Sequence, residues 1–229
     1  LINASNARIF VLQLAGLEGW TIALDGMPLP APEPVNTDLI LAPAQRIDLI
    51  VDVTAADGET AALLRFGDDD EWRPQVRFPV SGSASANRRD LPDALPPNPQ
   101  MEVRGIDSAR QLDMAMEGGA MGRMSGAMMN GRSMGFREMA GQGQFWALSG
   151  QVGMTDTPFA SLYRGETVRL RLTNDTAFPH AMHLHGMHFR QVAGDGTLGP
   201  MRDTILSYPD EPLEIAFVAD NPGKWLFHC

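Results

Sequence analysis

The chain has 229 residues, 28 of them Asp or Glu against 18 Lys or Arg, for a formal net charge of −10. So acidic a composition excludes nucleic acid as a partner, because phosphate binding needs a basic face. There is no run of about eighteen apolar residues, so no membrane span is expected, and a single cysteine excludes an internal disulfide. The length accommodates one large or two ordinary domains. Leu1 is not Met, and Cys229 falls within what reads as a strand, so both ends read as cut and any targeting signal is expected outside these residues.

Residues 1 to 53 read as β-structure, with strands at Ile9 to Leu14, Trp20 to Asp25, Leu39 to Leu41 and Arg46 to Val53. In the last of these Ile47, Leu49, Val51 and Val53 alternate with Arg46, Asp48 and Asp52, the pattern of a strand with one wet face. Asp25-Gly26 and the prolines Pro28, Pro30, Pro32 and Pro34 mark turns or an extended edge. Ala61 to Phe66 and Val76 to Pro79 complete a first domain, placed at residues 1–80, whose short strands suggest a sandwich. Residues 81–99, rich in Ser, Ala, Asn and Pro, are expected to be a linker.

Nine of the fourteen methionines fall between Met101 and Met139, among glycines and few other large apolar side chains. Such a composition predicts a flexible insert, placed at 112–140, without a core of its own. Thioethers are soft ligands that do not titrate, so Met114, Met116, Met121, Met124, Met128, Met129, Met134 and Met139 are possible Cu(I) ligands. β-structure resumes at Phe145 to Ser149. Val168, Leu170 and Leu172 then alternate with Arg169 and Arg171, and Leu213, Ile215 and Phe217 share one face of a later strand, so residues 100–229 form a second all-β domain.

The chemistry concentrates in Phe178 to Phe189, FPHAMHLHGMHF, and in the terminal Phe227, His228 and Cys229. Strand pleat puts His183 and His185 on one face and His180 on the other, and it separates His228 from Cys229 in the same way. One cluster could use His183, His185 and His228, and a second His180 and Cys229, with the backbone joining them. His188 is left as an ordinary polar residue. A structural zinc site would want four ligands closing on one ion, commonly with paired cysteines. A nucleophilic Cys would have no use for the histidine cluster. Copper fits His with Cys best.

His180-Ala-Met-His183-Leu-His185-Gly186 resembles the multicopper oxidase motif HPxHLHG, with Ala181 where the family has Pro. Gly223-Lys-Trp-Leu-Phe-His228-Cys229 resembles the start of its HCHxxxHxxxxM motif. LINASNARIF, ALDGMPL and LAPAQRIDLIVD are similar to the second cupredoxin domain of three-domain laccases and bacterial cuprous oxidases. The resemblance implies an all-β fold of two cupredoxin-like Greek-key β-sandwich domains, the second and most of the third of such an enzyme. It implies His180 and Cys229 as type 1 copper ligands, His183 at type 2 copper, and His185 and His228 at the type 3 pair. Cys229 and His228 would carry electrons between the sites. The implied partners are O2 and Cu(I) or phenolic donors, together with a missing first cupredoxin domain that completes the trinuclear cluster. A periplasmic or secreted location is implied as well. Cuprous oxidases carry an acid four residues and a Met two residues before the type 1 His, where this chain has Thr176 and Phe178. The rival readings are a non-catalytic copper-binding or resistance protein that holds Cu(I) on the Met-rich segment, an inert cupredoxin-shaped scaffold, and a copper nitrite reductase. The nitrite reductase would want its Cys in the earlier domain.

Overall fold

A computed structural model describes residues 1–82, 90–99, 102–119 and 124–229. The chain divides into two compact units, Leu1–Gln100 with Pro200–Thr204, and Met101–Gly199 with Ile205–Cys229. Part of the expected linker, and Met101 and Met121, lie outside the described residues. Among the described residues no helix is long and apolar enough to cross a membrane.

Among its described residues the first unit holds seven strands: β1 (Phe10–Ala15), β2 (Leu17–Leu24), β3 (Met27–Pro34), β4 (Leu39–Leu41), β5 (Ile47–Val53), β6 (Thr60–Phe66) and β7 (Trp72–Pro79). They form a four-stranded sheet in the order β4-β1-β6-β7 and a three-stranded sheet in the order β3-β2-β5. Leu12, Leu41 and Ile47 form the core, with Phe10, Leu24, Leu39, Leu49 and Leu63 packed on it. The proline-rich stretch is itself a strand. β3 pairs with β2 and lies at the sheet edge, where a residue lacking an N–H costs no ladder bond. Asp25 and Gly26, both at positive φ, make the two-residue hairpin between β2 and β3.

Asp25 is fully buried. Its Oδ1 accepts the Arg46 N–H at 2.9 Å. The Arg46 guanidinium donates to both carboxylate oxygens of Asp203, at 2.9 and 2.8 Å, and to Asp25 O at 2.7 Å. Buried charge is tolerable only when paired and hydrogen-bonded in this way, and these bonds explain why Pro200–Thr204 counts with the first unit.

The second unit is also built on β-strands. The strands from here on are β8 (Arg110–Gly118), β9 (Gly126–Met129), β10 (Arg132–Gly135), β11 (Trp146–Leu148), β12 (Gln151–Val152), β13 (Glu166–Asp175), β14 (His180–Leu184), β15 (Phe189–Val192), β16 (Leu198–Arg202), β17 (Thr204–Ser207), β18 (Leu213–Ala219) and β19 (Phe227–His228), of which Pro200–Arg202 of β16 and Thr204 of β17 count with the first unit. The principal sheet runs β10-β9-β12-β11-β8-β13-β18-β15-β16, and a smaller one runs β17-β14-β19. In β13 the alternation read from sequence sets the packing: Val168, Leu170 and Leu172 are buried, and Arg169 and Arg171 lie on the other face.

The Met-rich segment departs from expectation. Its described residues form β8, β9, β10 and a short helix α1 (Phe136–Ala140), and these residues are built into the fold rather than standing apart without a core. Met114 and Met116 lie in the same core as Val168, Leu170, Leu172 and Phe189. Met139 is fully buried in a second core with Ala127, Ala147 and Val152, and Met124, Met129 and Met134 pack around it. Composition misled because Met, unbranched and adaptable, can fill a core that few Leu or Ile supply. The buried thioethers of Met114, Met116 and Met139 are spent on packing and are not accessible ligands. In urea denaturation of the metal-free chain, Met116→Ala and Met139→Ala are each expected to cost about 2–4 kcal/mol, and Met128→Ala less than about 1 kcal/mol. A flexible insert would make all three nearly neutral.

Candidate metal centre

β14 carries His180 and His183, and His185 follows it directly. β14 pairs antiparallel with β19 in a register that sets His183 opposite His228 and Leu184 opposite Phe227. Directly opposed residues project to the same face, so His183, His185 and His228 share one side of the ladder. Their rings gather there, with centroids 4.6 Å apart for His183 and His185, 5.7 Å for His183 and His228, and 5.0 Å for His185 and His228. His185 Nε2 and His228 Nε2 are 2.8 Å apart. His228 Nδ1 lies 3.0 Å from Cys229 O, a contact that takes the Nδ1 proton and leaves Nε2 as the bare nitrogen.

On the opposite face His180 Nδ1 is 3.4 Å from Cys229 Sγ. An ion about 2.0 Å from an imidazole nitrogen and about 2.3 Å from a thiolate, at a tetrahedral angle, would hold those atoms about 3.5 Å apart. Two imidazole nitrogens about 2.0 Å from one ion at a right angle would be about 2.8 Å apart. Both observed separations fit one shared ion each. Among the described residues no three His, Cys, Asp or Glu side chains close a complete cage. The chain offers donors as pairs.

His180 is held by a small polar knot. Asn174, buried to 1% exposure, donates from Nδ2 to Phe178 O at 2.8 Å and to Ser207 O at 2.9 Å, which fixes the amide orientation. Its Oδ1 accepts the Thr176 N–H at 3.1 Å and the Thr176 hydroxyl at 2.7 Å. Thr176 Oγ1 also accepts the Phe178 N–H at 3.2 Å and lies 2.9 Å from His180 Nε2. The Thr176 hydroxyl has two carbonyl acceptors, Asn174 Oδ1 at 2.7 Å and Phe178 O at 3.1 Å; with its proton on either, Nε2–H donates to Thr176 and the Nδ1 lone pair faces Cys229. A ligand imidazole is oriented in this way by the hydrogen bond from its other nitrogen. Burial pushes the His180 pKa down, which favours the neutral, ligating form. Burial also pushes the Cys229 thiol up, opposed by a backbone hydrogen bond from Ala181, although the residue as a whole is exposed.

The His185 turn is clamped to the strand that carries His228. His185 N–H donates to Leu226 O at 2.9 Å, Asn221 Nδ2 to Gly186 O at 2.9 Å, and Trp225 Nε1 to Asn221 O at 2.9 Å. Trp225 lies against Gly186, where a Cβ would come within 2.4 Å of its Cδ2. His188 sits half-buried on the loop after this turn, and Met128 is half-buried on β9. Asn174, Asn221, Trp146 and Trp225 were not singled out from sequence. For Asn174 the available signal is Asn-Asp-Thr just before the histidine run.

A β-protein that presents a His–Cys pair and a His cluster on opposite faces of one ladder has the ligand chemistry of a copper electron-transfer protein. Residues 129–229 match the family described as Multicopper oxidase. The chain is 34% identical to the multicopper oxidase MmcO of Mycobacterium tuberculosis (strain ATCC 25618 / H37Rv) over 84 residues, 37% of this chain and 16% of that protein. It is 28% identical to Laccase of Bacillus subtilis (strain 168), with all of this chain matched to 47% of that one. The crystal structure of Lac15 from a marine microbial metagenome is similar over all of this chain and 50% of its own, with a TM-score of 0.73 and 37% identity. The chain thus spans about half the length, or less, of the relatives it matches. Over residues 129–229 in sequence, and over the whole chain in fold, it is thus similar to multicopper oxidases.

Thr176→Val removes the acceptor that orients His180. It is expected to weaken copper binding at the His180–Cys229 pair by about 10- to 100-fold, as measured by competition titration. Unchanged affinity would show that Thr176 does not set the ring.

Proposed function

We propose that this chain supplies the second and most of the third cupredoxin domain of a multicopper oxidase. In this reading residues 1–80 belong to the second domain and residues 100–229 to the third. The observation that carries the proposal is the opposed pair of donor sets: His180 with Cys229 on one face, and His183, His185 and His228 on the other, joined through the single peptide link from His228 to Cys229.

In this reading His180 Nδ1 and Cys229 Sγ bind the type 1 copper. His183 binds type 2 copper, and His185 and His228 bind the type 3 pair. Copper, when bound, supplies the one-electron chemistry at the first site and the reduction of dioxygen at the second. The residues supply position and protonation state. Cys229 must release its thiol proton to ligate, and burial makes that release dependent on the metal. Thr176 holds His180 in the Nδ1-ligating tautomer. The His228–Cys229 backbone provides a covalent path a few bonds long, so electrons need not cross solvent. Four single-electron oxidations balance O2 + 4H⁺ + 4e⁻ → 2H2O.

The donors fall within the class of Cu(I) and small phenols. The remaining ligands come from sequence beyond these residues, including a first cupredoxin domain, and the whole enzyme works in the periplasm or outside the cell. The rival reading, a copper store on the Met-rich segment, loses support from the burial of Met114, Met116 and Met139.

In the copper-loaded protein that contains this chain, oxygen uptake at four donor electrons per O2 and an intense blue band are expected. Cys229→Ser is expected to remove the band and lower turnover at least 1000-fold, the order of loss seen when a unit of catalytic machinery is broken. A colourless protein that binds zinc and takes up no oxygen would end this reading.

A further inference from the structure

The knot and Cys229 account for the two nitrogens of His180, and Trp146 packs against its ring. The two rings are 4.7 Å apart between centroids and nearly perpendicular, at 77°, and Phe178 meets the same indole edge-on at 6.0 Å. Trp146 is 38% exposed and His180 only 6%, so the indole stands between the imidazole and water.

The chain makes specific room for this placement. β8 ends at Gly118, Gly119 follows it, and β11 pairs Trp146 with Gly118. Gly119 N–H donates to Phe145 O at 2.7 Å. A Cβ at Gly118 would sit 2.1 Å from that oxygen, and one at Gly119 would sit 2.4 Å from Trp146 Cζ3. Gly119 therefore seats the indole where any side chain would push it off, and Gly118 allows the backbone of β11 to approach; both lie at positive φ.

We propose that Trp146, seated on Gly118–Gly119, is a positioning residue that keeps water from His180 and thereby raises the reduction potential of a copper ion held by His180 and Cys229. This rests on the type 1 reading of that pair. A dry, apolar surround disfavours the more highly charged oxidised state, so solvent access and local polarity set the potential of such a site. Trp146 takes no electron and touches no substrate in this role.

Two measurements test it. In the metal-free chain, the rate of carbethoxylation of His180 by diethyl pyrocarbonate, followed by mass spectrometry, is expected to rise several-fold in Trp146→Ala. Gly119→Ala, which displaces the indole without touching His180, should produce the same rise, and Trp146→Phe should return close to the parent rate. In the copper-loaded protein the potential of the sulfur-ligated copper is expected to fall in Trp146→Ala and Gly119→Ala and to recover in Trp146→Phe. An unchanged His180 rate and potential in folded Trp146→Ala would overturn the proposal, as would a change confined to the KM of an aromatic donor. If the parent protein binds no copper through Cys229, the type 1 reading fails, and the carbethoxylation rates still decide whether Trp146 shields His180.

Discussion

The pleat of one antiparallel ladder governs everything proposed for this protein. Because β14 and β19 are in register at His183 and His228, side chains of one parity converge on one side and those of the other parity on the reverse. A slip of a single residue would exchange the faces and scatter both donor sets. The surrounding structure holds that register: the bond from His185 N–H to Leu226 O, the Asn221 and Trp225 bonds, and the close fit of Trp225 on Gly186 all tie the same two segments together.

Around that ladder the polar and apolar neighbours do different work. Asn174 and Thr176 act through hydrogen bonds, fixing which nitrogen of His180 is free. Trp146 acts through exclusion of water. The main core, which contains Met114, Met116, Met182 and Phe189, packs next to the strand that carries the histidines and gives β14 a rigid back. A precise site built on strands in this way needs little adjustment when metal arrives, because its rotamers are already constrained by packing.

Much of this was legible in the sequence, and for physical reasons. Period two is strict in a strand, so the split of His180 and Cys229 from His183, His185 and His228 could be read from spacing alone, as could the buried face of β13. The misses have physical causes as well. Four prolines in eight residues leave a turn and an extended edge both open from sequence, and the edge strand β3 is what forms, because an edge position tolerates them. Glycine and methionine in quantity look like a segment without a core, yet glycine here permits close strand contacts and methionine fills the space between them. The contacts of Asn174 and Trp146 with the site depend on tertiary placement, which no local pattern encodes. Trp146 lies 34 residues before His180 and reaches it only because β11 joins the sheet beside β8.

The most direct test of the two-faced ladder exchanges its terminal pair, with the double substitution His228→Cys and Cys229→His in the copper-loaded protein. Composition, charge and adjacency are unchanged, and only the faces are swapped. Copper-edge X-ray absorption with metal analysis should show loss of the copper–sulfur shell and of the copper held by His185 and His228 together. Retention of a copper–sulfur shell at parental copper content would contradict the account.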